Sequence, residues 1–217
     1  MEQWFISAKK ADFNGIARHF GISPVLARLM RNRNLTTEEE MRKYLYGSLE
    51  DLYEPSLLKD AEKGVKVIKE KIMAGKKIRI ISDYDVDGVS SNYILYRGLA
   101  RCGAQVDYRI PDRVADGYGI NEHLIDQAYE DGVDTVITCD NGIAAAEQIS
   151  YGNGLGMTFV VTDHHDVPFV EKDGVRTEQI PEAAAVINPK QEDCAYPFKN
   201  ICGAVVVYKF IELLYDA

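Results

Sequence analysis

The sequence predicts an α/β fold: a parallel sheet with helices on both faces, preceded by a small helical region. Two observations carry this. From residue 76 onward, short apolar runs alternate with segments of helical period. That alternation is the mark of strand–helix–strand units and hence of a parallel sheet. Before residue 76 the pattern is helical. Charge divides along the same line: residues 1–77 carry 15 Lys and Arg against 11 Asp and Glu, and residues 78–217 carry 10 against 23. The expected organisation is a helical N-terminal region over 1–75 and an α/β domain over 76–217.

Each element has a local reason. "SPVLARLMRNR" opens with Ser23 as N-cap and Pro24 at the first helical position. "TTEEEMRKYLYG" places Thr37 three residues before Glu40, a capping-box pattern, and Gly47 at its end. "LLKDAEKGVKVIKEKIMAGK" sets Val65, Ile68 and Ile72 on one face and stops at Gly75. The basic residues of these helices read as solvated faces. Next come the strand "KIRIIS", the helix "SSNYILYRGLARCG", the strand "QVDYRIP" and the helix "NEHLIDQAYEDG", capped by Asn121. The strand "VDTVITC", the helix "IAAAEQIS", the strand "MTFVVT", a fifth strand in "AAAVINP" and a final helix "GAVVVYKFIELLYDA" complete the series.

Composition excludes several classes. No apolar run reaches the roughly 18 residues of a membrane span, and "MEQWFISAKK" lacks the apolar stretch of a signal peptide. Cys102, Cys139, Cys194 and Cys202 show no CxxC spacing, so buried thiols in a reduced, cytoplasmic protein are expected. The α/β region is too acidic to bind nucleic acid generally, because phosphates are repelled. If it handles phosphates, bound cations must reverse the local sign.

The polar residues that follow the strands point to such cations. After the first strand come Asp83, Asp85 and Asp87; after the second, Pro111-Asp112-Arg113 and then "DGYG"; after the third, Asp140-Asn141-Gly142; after the fourth, Asp163-His164-His165; after the fifth, Asn188-Pro189. In an open parallel sheet these ends share one edge, where such folds bind ligands. Carboxylates held close together repel unless a counter-charge is present. Oxygen ligands plus imidazole, with no thiolate, suit Mn2+ or Mg2+. The cluster has ligands enough for two metals, the standard device for phosphoester hydrolysis. Neighbouring residues of an extended segment point opposite ways. One of His164 and His165 is therefore expected to ligate, while the other faces substrate phosphate or orients a ligand.

Two other readings of "DYDVDG" are weaker. As an EF-hand loop it would need a bidentate Glu at the twelfth position, where Ile94 stands, and it follows a strand rather than a helix. As the start of a haloacid-dehalogenase-type phosphatase, with an Asp nucleophile, it leaves His164-His165 unexplained and offers only "KQED" as a late acidic pair.

At these residues the sequence resembles the DHH phosphoesterase superfamily, and within it the RecJ single-strand-specific DNA exonucleases. The matching stretches run along nearly the whole chain: "SPVLARLMRNRNLTTEEEMRKYL", "KIRIISDYDVDGVSSNYILYRGL", "YRIPDRVADGYGIN", "VITCDNGI", "VVTDHHDVP" and "AVINPKQEDCAYPFKNICGAVVVYK". The resemblance implies a DHH-type, Rossmann-like domain. It implies 5′-to-3′ hydrolysis of single-stranded DNA to nucleotide monophosphates in DNA repair and recombination, with two Mn2+ or Mg2+ ions and DNA-repair proteins as partners. It assigns Asp83, Asp85, Asp87, Asp140 and His164 to the metals, with Asp140 bridging them. Asp163 would orient a histidine, and His165, Arg113, Gly117 and Tyr118 would contact phosphate or DNA.

The sequence departs from the family pattern at two places. Relatives often carry a histidine two residues before the first Asp, where this chain has Ile81. The family's fourth motif, a further metal-binding Asp, follows a helix like "GAVVVYKFIELLYDA", and the sequence ends with that helix. The expectation is therefore a catalytic domain incomplete at its C-terminal side, without the DHHA1 and oligonucleotide-binding domains. Two alternatives are a DHH phosphodiesterase or pyrophosphatase acting on short oligonucleotides or cyclic dinucleotides, and a non-catalytic DNA-repair binding module. Retention of all three motifs favours the enzyme.

Overall fold

The computed structural model describes residues 3, 9–114, 116–117 and 119–217. The chain forms two compact units, Met1–Leu52 and Tyr53–Ala217. The first holds three short helices, α1 (Phe13–Phe20), α2 (Pro24–Asn32) and α3 (Glu38–Tyr46). Ser23 Oγ caps α2 by accepting from the Leu26 N–H, with Pro24 at the first position. The Thr37–Glu40 capping box of α3 is formed in both directions. The backbone N–H of Thr37 and that of Thr36 hold the Glu40 carboxyl down to about 2. Ala27, Met30 and Met41 are buried.

The second unit begins with α4 (Ala61–Met73) and continues β1 (Lys77–Ser82), α5 (Val86–Arg101), β2 (Gln105–Arg109), α6 (Glu122–Glu130), β3 (Thr135–Cys139), α7 (Ala146–Gly154) and β4 (Thr158–Thr162). A hairpin of β5 (Phe169–Lys172) and β6 (Val175–Glu178) follows, then β7 (Ala185–Ile187) and α8 (Gly203–Asp216). The main sheet has the order β2-β1-β3-β4-β7, and each pairing in it is parallel.

Alternation along the strands builds two cores. Ile78, Ile80, Ile137, Cys139, Val160, Ala185 and Ile187 pack with apolar residues of α4, α5 and α8. Ile81, Val136, Phe159, Val161 and Val186 pack with α6 and α7 on the other face. Ile78, Ile80 and Ile81 are fully buried, and each such side chain is worth roughly 1.5–3 kcal/mol. Covering both faces is why β1, β3 and β4 are apolar runs rather than half-polar strands.

Several elements differ from the sequence expectation. The packing division falls at Leu52/Tyr53, not at residue 75. The pattern change at residue 76 marks the first strand, whereas α4 already belongs to the sheet's core through Ala61, Val65 and Ile68. α5 starts at Val86 rather than near Ser90, so the aspartates form its cap and first turn. The β5–β6 hairpin was not expected, although Asp173-Gly174, both at positive φ, is the dipeptide a two-residue hairpin turn favours. The thiols are not all buried: Cys139 and Cys194 are, Cys102 is partly so, and Cys202 is exposed where the chain enters α8. Among the described residues no helix is long and apolar enough to cross a membrane.

Candidate metal centre

Register alone brings three aspartates together. Ser82 pairs with Cys139, and Cys139 with Thr162. The next residue on each strand is Asp83, Asp140 and Asp163. The ladder runs one step further through them, with Asp83 N–H donating to Cys139 O at 3.4 Å and Asp140 N–H to Thr162 O at 3.1 Å. Asp140 sits at φ 59°, a left-handed conformation that Asp tolerates better than most residues. The chain turns there and leaves the carboxylate inside the edge.

Asp85 enters from α5. Its Oδ1 accepts from the N–H groups of Asp87 and Gly88, each at 2.9 Å, capping the helix. Gly88 is required by space, because a Cβ there would lie 2.3 Å from Asp83 O. That close approach seats the helix start on the strand end and brings Asp85 to Asp83 and Asp140. Ligand atoms of these three lie within 4.8 Å of one another, and a second such group is Asp140, His164 and His165. Asp140 belongs to both.

The electrostatics are strained. Burial pushes the Asp83 carboxyl up, with Asp85 adding repulsion. Asp140 is also raised, first by burial and then by Asp87 and Asp85, while His164 opposes the shift. Asp85 is instead lowered, chiefly by the Gly88 N–H. Asp163 shows the opposite balance to Asp140. Burial acts to raise it, but His165 and the N–H groups of Ile143 and His165 outweigh that and hold it low. Its Oδ1 accepts from the N–H of His164 at 2.7 Å and of His165 at 3.1 Å, and its Oδ2 accepts from Ile143 N–H at 2.9 Å.

The bonds from the His164 and His165 N–H groups to Asp163 overturn the picture of an extended His-His pair. The backbone folds around the carboxylate, so both rings lie on one side, with centroids 4.6 Å apart. His165 Nδ1 lies 2.8 Å from Asp163 Oδ1. His164 Nδ1 lies 3.0 Å from the main-chain oxygen of Ile201. A carbonyl oxygen only accepts, so Nδ1 carries the proton. In the neutral ring, Nε2 then turns its lone pair toward Asp140 Oδ1, 3.0 Å away. Asp140 Oδ1 is buried and receives no well-directed hydrogen bond. A lone pair facing a carboxylate oxygen at this range needs a positive charge between them. A proton on Nε2 meets that need, and the contact with Asp140 favours it by raising His164; a divalent cation meets it equally. The donor set therefore fits Mn2+ or Mg2+.

Asp87 behaves differently from its neighbours. Its Oδ2 accepts from Gly203 N–H and its Oδ1 from Ala204 N–H, each at 2.7 Å, so it holds the N-terminus of α8. It still lies 3.5 Å from His164 Nε2. Gly203 approaches closely: a Cβ there would lie 2.9 Å from Asp140 Oδ1. The Arg113 guanidinium lies 4.7 Å over the Tyr84 ring, and its charge weakly opposes the upward shift of Asp83. Gly117 is exposed at φ 78°, and Tyr118 lies outside the described residues. Sequence reasoning did not single out Gly203, the Ile201 carbonyl, or Asn188, whose Nδ2 donates to His165 O at 3.0 Å. Only the strand-end position of Asn188 gave a signal. The other two come from a remote segment that α8 docks against the cluster.

Comparison with known proteins places this arrangement. The profile of the DHH family, N-terminal domain, matches residues 77–217. The single-stranded-DNA-specific exonuclease RecJ of Bacillus subtilis is 34% identical over 213 residues, covering 98% of this chain and 26% of that protein. An exonuclease RecJ solved with manganese bound aligns with a TM-score of 0.62 at 28% identity, covering 73% of this chain and 38% of the other. RecJ from Thermus thermophilus in complex with Mn2+ shares the fold, with a TM-score of 0.64 at 23% identity over 94% of this chain and 27% of that one. The chain thus spans about a quarter of the Bacillus subtilis relative's length. With the profile covering every strand of the main sheet and all three Asp/His motifs, the chain belongs to the DHH family.

Proposed function

We propose that this chain carries the metal-binding core of a phosphodiesterase that hydrolyses single-stranded DNA from the 5′ end, releasing nucleotide monophosphates in DNA repair and recombination. The observation that carries the reading is the pair of donor groups sharing buried Asp140: Asp83-Asp85-Asp140 and Asp140-His164-His165. The similarity to RecJ proteins supports the substrate, and the manganese-bound relative supports the ion.

Asp83, Asp85, Asp140 and His164 would hold Mn2+ or Mg2+, with Asp140 facing both positions. The ions would supply Lewis acidity and charge neutralisation at phosphorus. The chain's own groups do the rest. Asp163, saturated by donors, orients His165 and the backbone that carries both rings. His165, 43% exposed, can donate from Nε2 to a phosphate oxygen when its ring is protonated, the state that Asp163 favours by raising it. Arg113, over Tyr84 beside Asp83, offers a bidentate contact to phosphate. Asp87 fixes α8, which brings the Ile201 carbonyl to His164.

Calorimetric titration with Mn2+ tests the centre. The parent chain should bind Mn2+, and Asp140→Ala should lose the binding. Equal uptake by both, or none by a folded parent, overturns the reading. Competition between a single-stranded oligonucleotide and a cyclic dinucleotide then tests substrate class, with the single strand expected to bind tighter.

A further inference from the structure

Within residues 78–217 one surface runs against the prevailing acidic charge. Residues 78–217 hold 23 acidic and 10 basic side chains, yet α5 from Gly88 to Arg101 has Arg97 and Arg101 and no acidic residue. The same outward face carries Tyr93, 64% exposed, and Tyr96, 37% exposed. Tyr108 of edge strand β2 meets Tyr96 edge-to-face, with ring centroids 5.7 Å apart. A groove of about 330 Å³ runs between helix and strand, lined by Val89, Tyr93, Tyr96, Arg97, Tyr108 and Ile110.

We infer that this α5–β2 groove is a stacking track for the bases of a single-stranded DNA that reaches the acidic cluster; the inference rests on the nucleic-acid reading above. Exposed aromatic rings interleaved with cations are what a single strand requires, because every base has a π-face and every link a negative charge. Position agrees. α5 starts directly after Asp85, so the groove opens one turn from the cluster at Val89, and Tyr96 lies about 15 Å along the helix axis from its start. The platform is rigid. Leu95 and Leu99 anchor the inner face of α5 in the core, and Asn92 Nδ2 donates to Ser82 Oγ at 2.9 Å. Elsewhere in residues 78–217 acidic side chains outnumber basic ones, so Arg97 and Arg101, in the half of α5 farther from the cluster, draw the strand's backbone onto this face.

The test is fluorescence anisotropy of a labelled oligothymidylate in Ca2+, with the parent chain and with Tyr93→Ala, Tyr96→Ala and Arg97→Gln. All three are surface changes, and Mn2+ calorimetry should give parental binding for each. Each tyrosine variant should bind about 5-fold or more weakly, the scale of one lost base stack. Arg97→Gln should lower the slope of log affinity against log salt by ~0.7, one released counterion on a single strand. An abasic strand of equal length should be indifferent to the tyrosine changes. Parental affinity in all three variants, as expected if the groove seats another polypeptide, overturns the inference, as does a parent chain that binds Mn2+ but no single strand. Loss of Mn2+ binding by the parent would instead strike the metal-centre reading.

Discussion

The two ends of one sheet handle buried charge in opposite ways. Near the start of β1, Arg79 is 1% exposed, and its cross-strand neighbour Asp107 takes Nε and Nη2 at 2.7 and 2.8 Å. Asp131 accepts a further bond from Arg79 Nη2 at 2.7 Å, and Lys77 adds a contact to Asp107 at 3.2 Å. There the protein supplies both signs of charge. At the far end of the same strand, Asp83, Asp85 and Asp140 converge, and the basic groups acting on them are two imidazoles and the Arg113 guanidinium, too little to offset the crowding. The shifts follow: Asp107 is lowered despite burial, because Arg79 and Lys77 outweigh it, whereas Asp83 and Asp140 are raised, chiefly by burial. Charge that the chain balances itself serves the fold; charge it leaves unbalanced is prepared for a ligand.

The largest expected effect breaks the balanced end. Arg79→Met removes the guanidinium that Asp107 and Asp131 share and leaves Asp107 with Lys77 alone. Breaking a buried pair costs about 3–5 kcal/mol; exposure of 35% and 45% for the two aspartates screens part of it, so about 2–3 kcal/mol is expected in urea denaturation. Asp140→Asn in chelator should do the reverse and raise the urea midpoint, because it removes a like charge from a crowded site. A lower midpoint would show that the acidic end is balanced after all.

Next in size is the ion itself. Mn2+ at a hundred times its dissociation constant should stabilise the parent by about 2.7 kcal/mol, read as a rise in thermal midpoint, and leave Asp140→Asn unmoved. Asp163→Asn sharpens the comparison, since that carboxylate is saturated by donors like the groups at the other end. It should weaken Mn2+ binding about 10–100-fold without abolishing it. Complete loss would make Asp163 a ligand.

The smallest effects are in pH. Asp107 and Asp131 have lowered carboxyls, so their contribution is full above the ordinary carboxylate range and fades as pH falls through their depressed values. The deficit of Arg79→Met should shrink on acidification. Asp83 and Asp140 are raised, so in chelator their contribution is full below the ordinary range and is lost as pH rises. The advantage of Asp140→Asn should therefore also shrink on acidification, from the opposite side. Urea midpoints between neutral and acid pH check both signs.

Much of the site was legible before any fold was known, because an open parallel sheet puts all its strand ends on one edge. Asp83, Asp140 and Asp163 needed only strand boundaries to be placed together. What was not legible depends on how elements dock. That α5 begins at Val86, making Asp85 its cap, depends on Gly88 meeting Asp83 O. Asp87 looked equivalent to its neighbours in "DYDVDG", yet its two oxygens take the N–H groups of Gly203 and Ala204, more than a hundred residues away. The side-by-side rings of His164 and His165 come from a local turn around Asp163, which alternation rules cannot foresee.

By itself, then, the sequence determined the parallel α/β class, the capped helices of residues 24–46 and the acidic edge. Periodicity, capping and strand-end chemistry are local properties, carried within a few residues of chain. Only the tertiary structure decided that α4 joins the sheet's core, that Asp87 serves α8, and that His164 points its Nε2 at Asp140. Those outcomes depend on which distant segments share the same few ångströms, and local pattern holds no record of that.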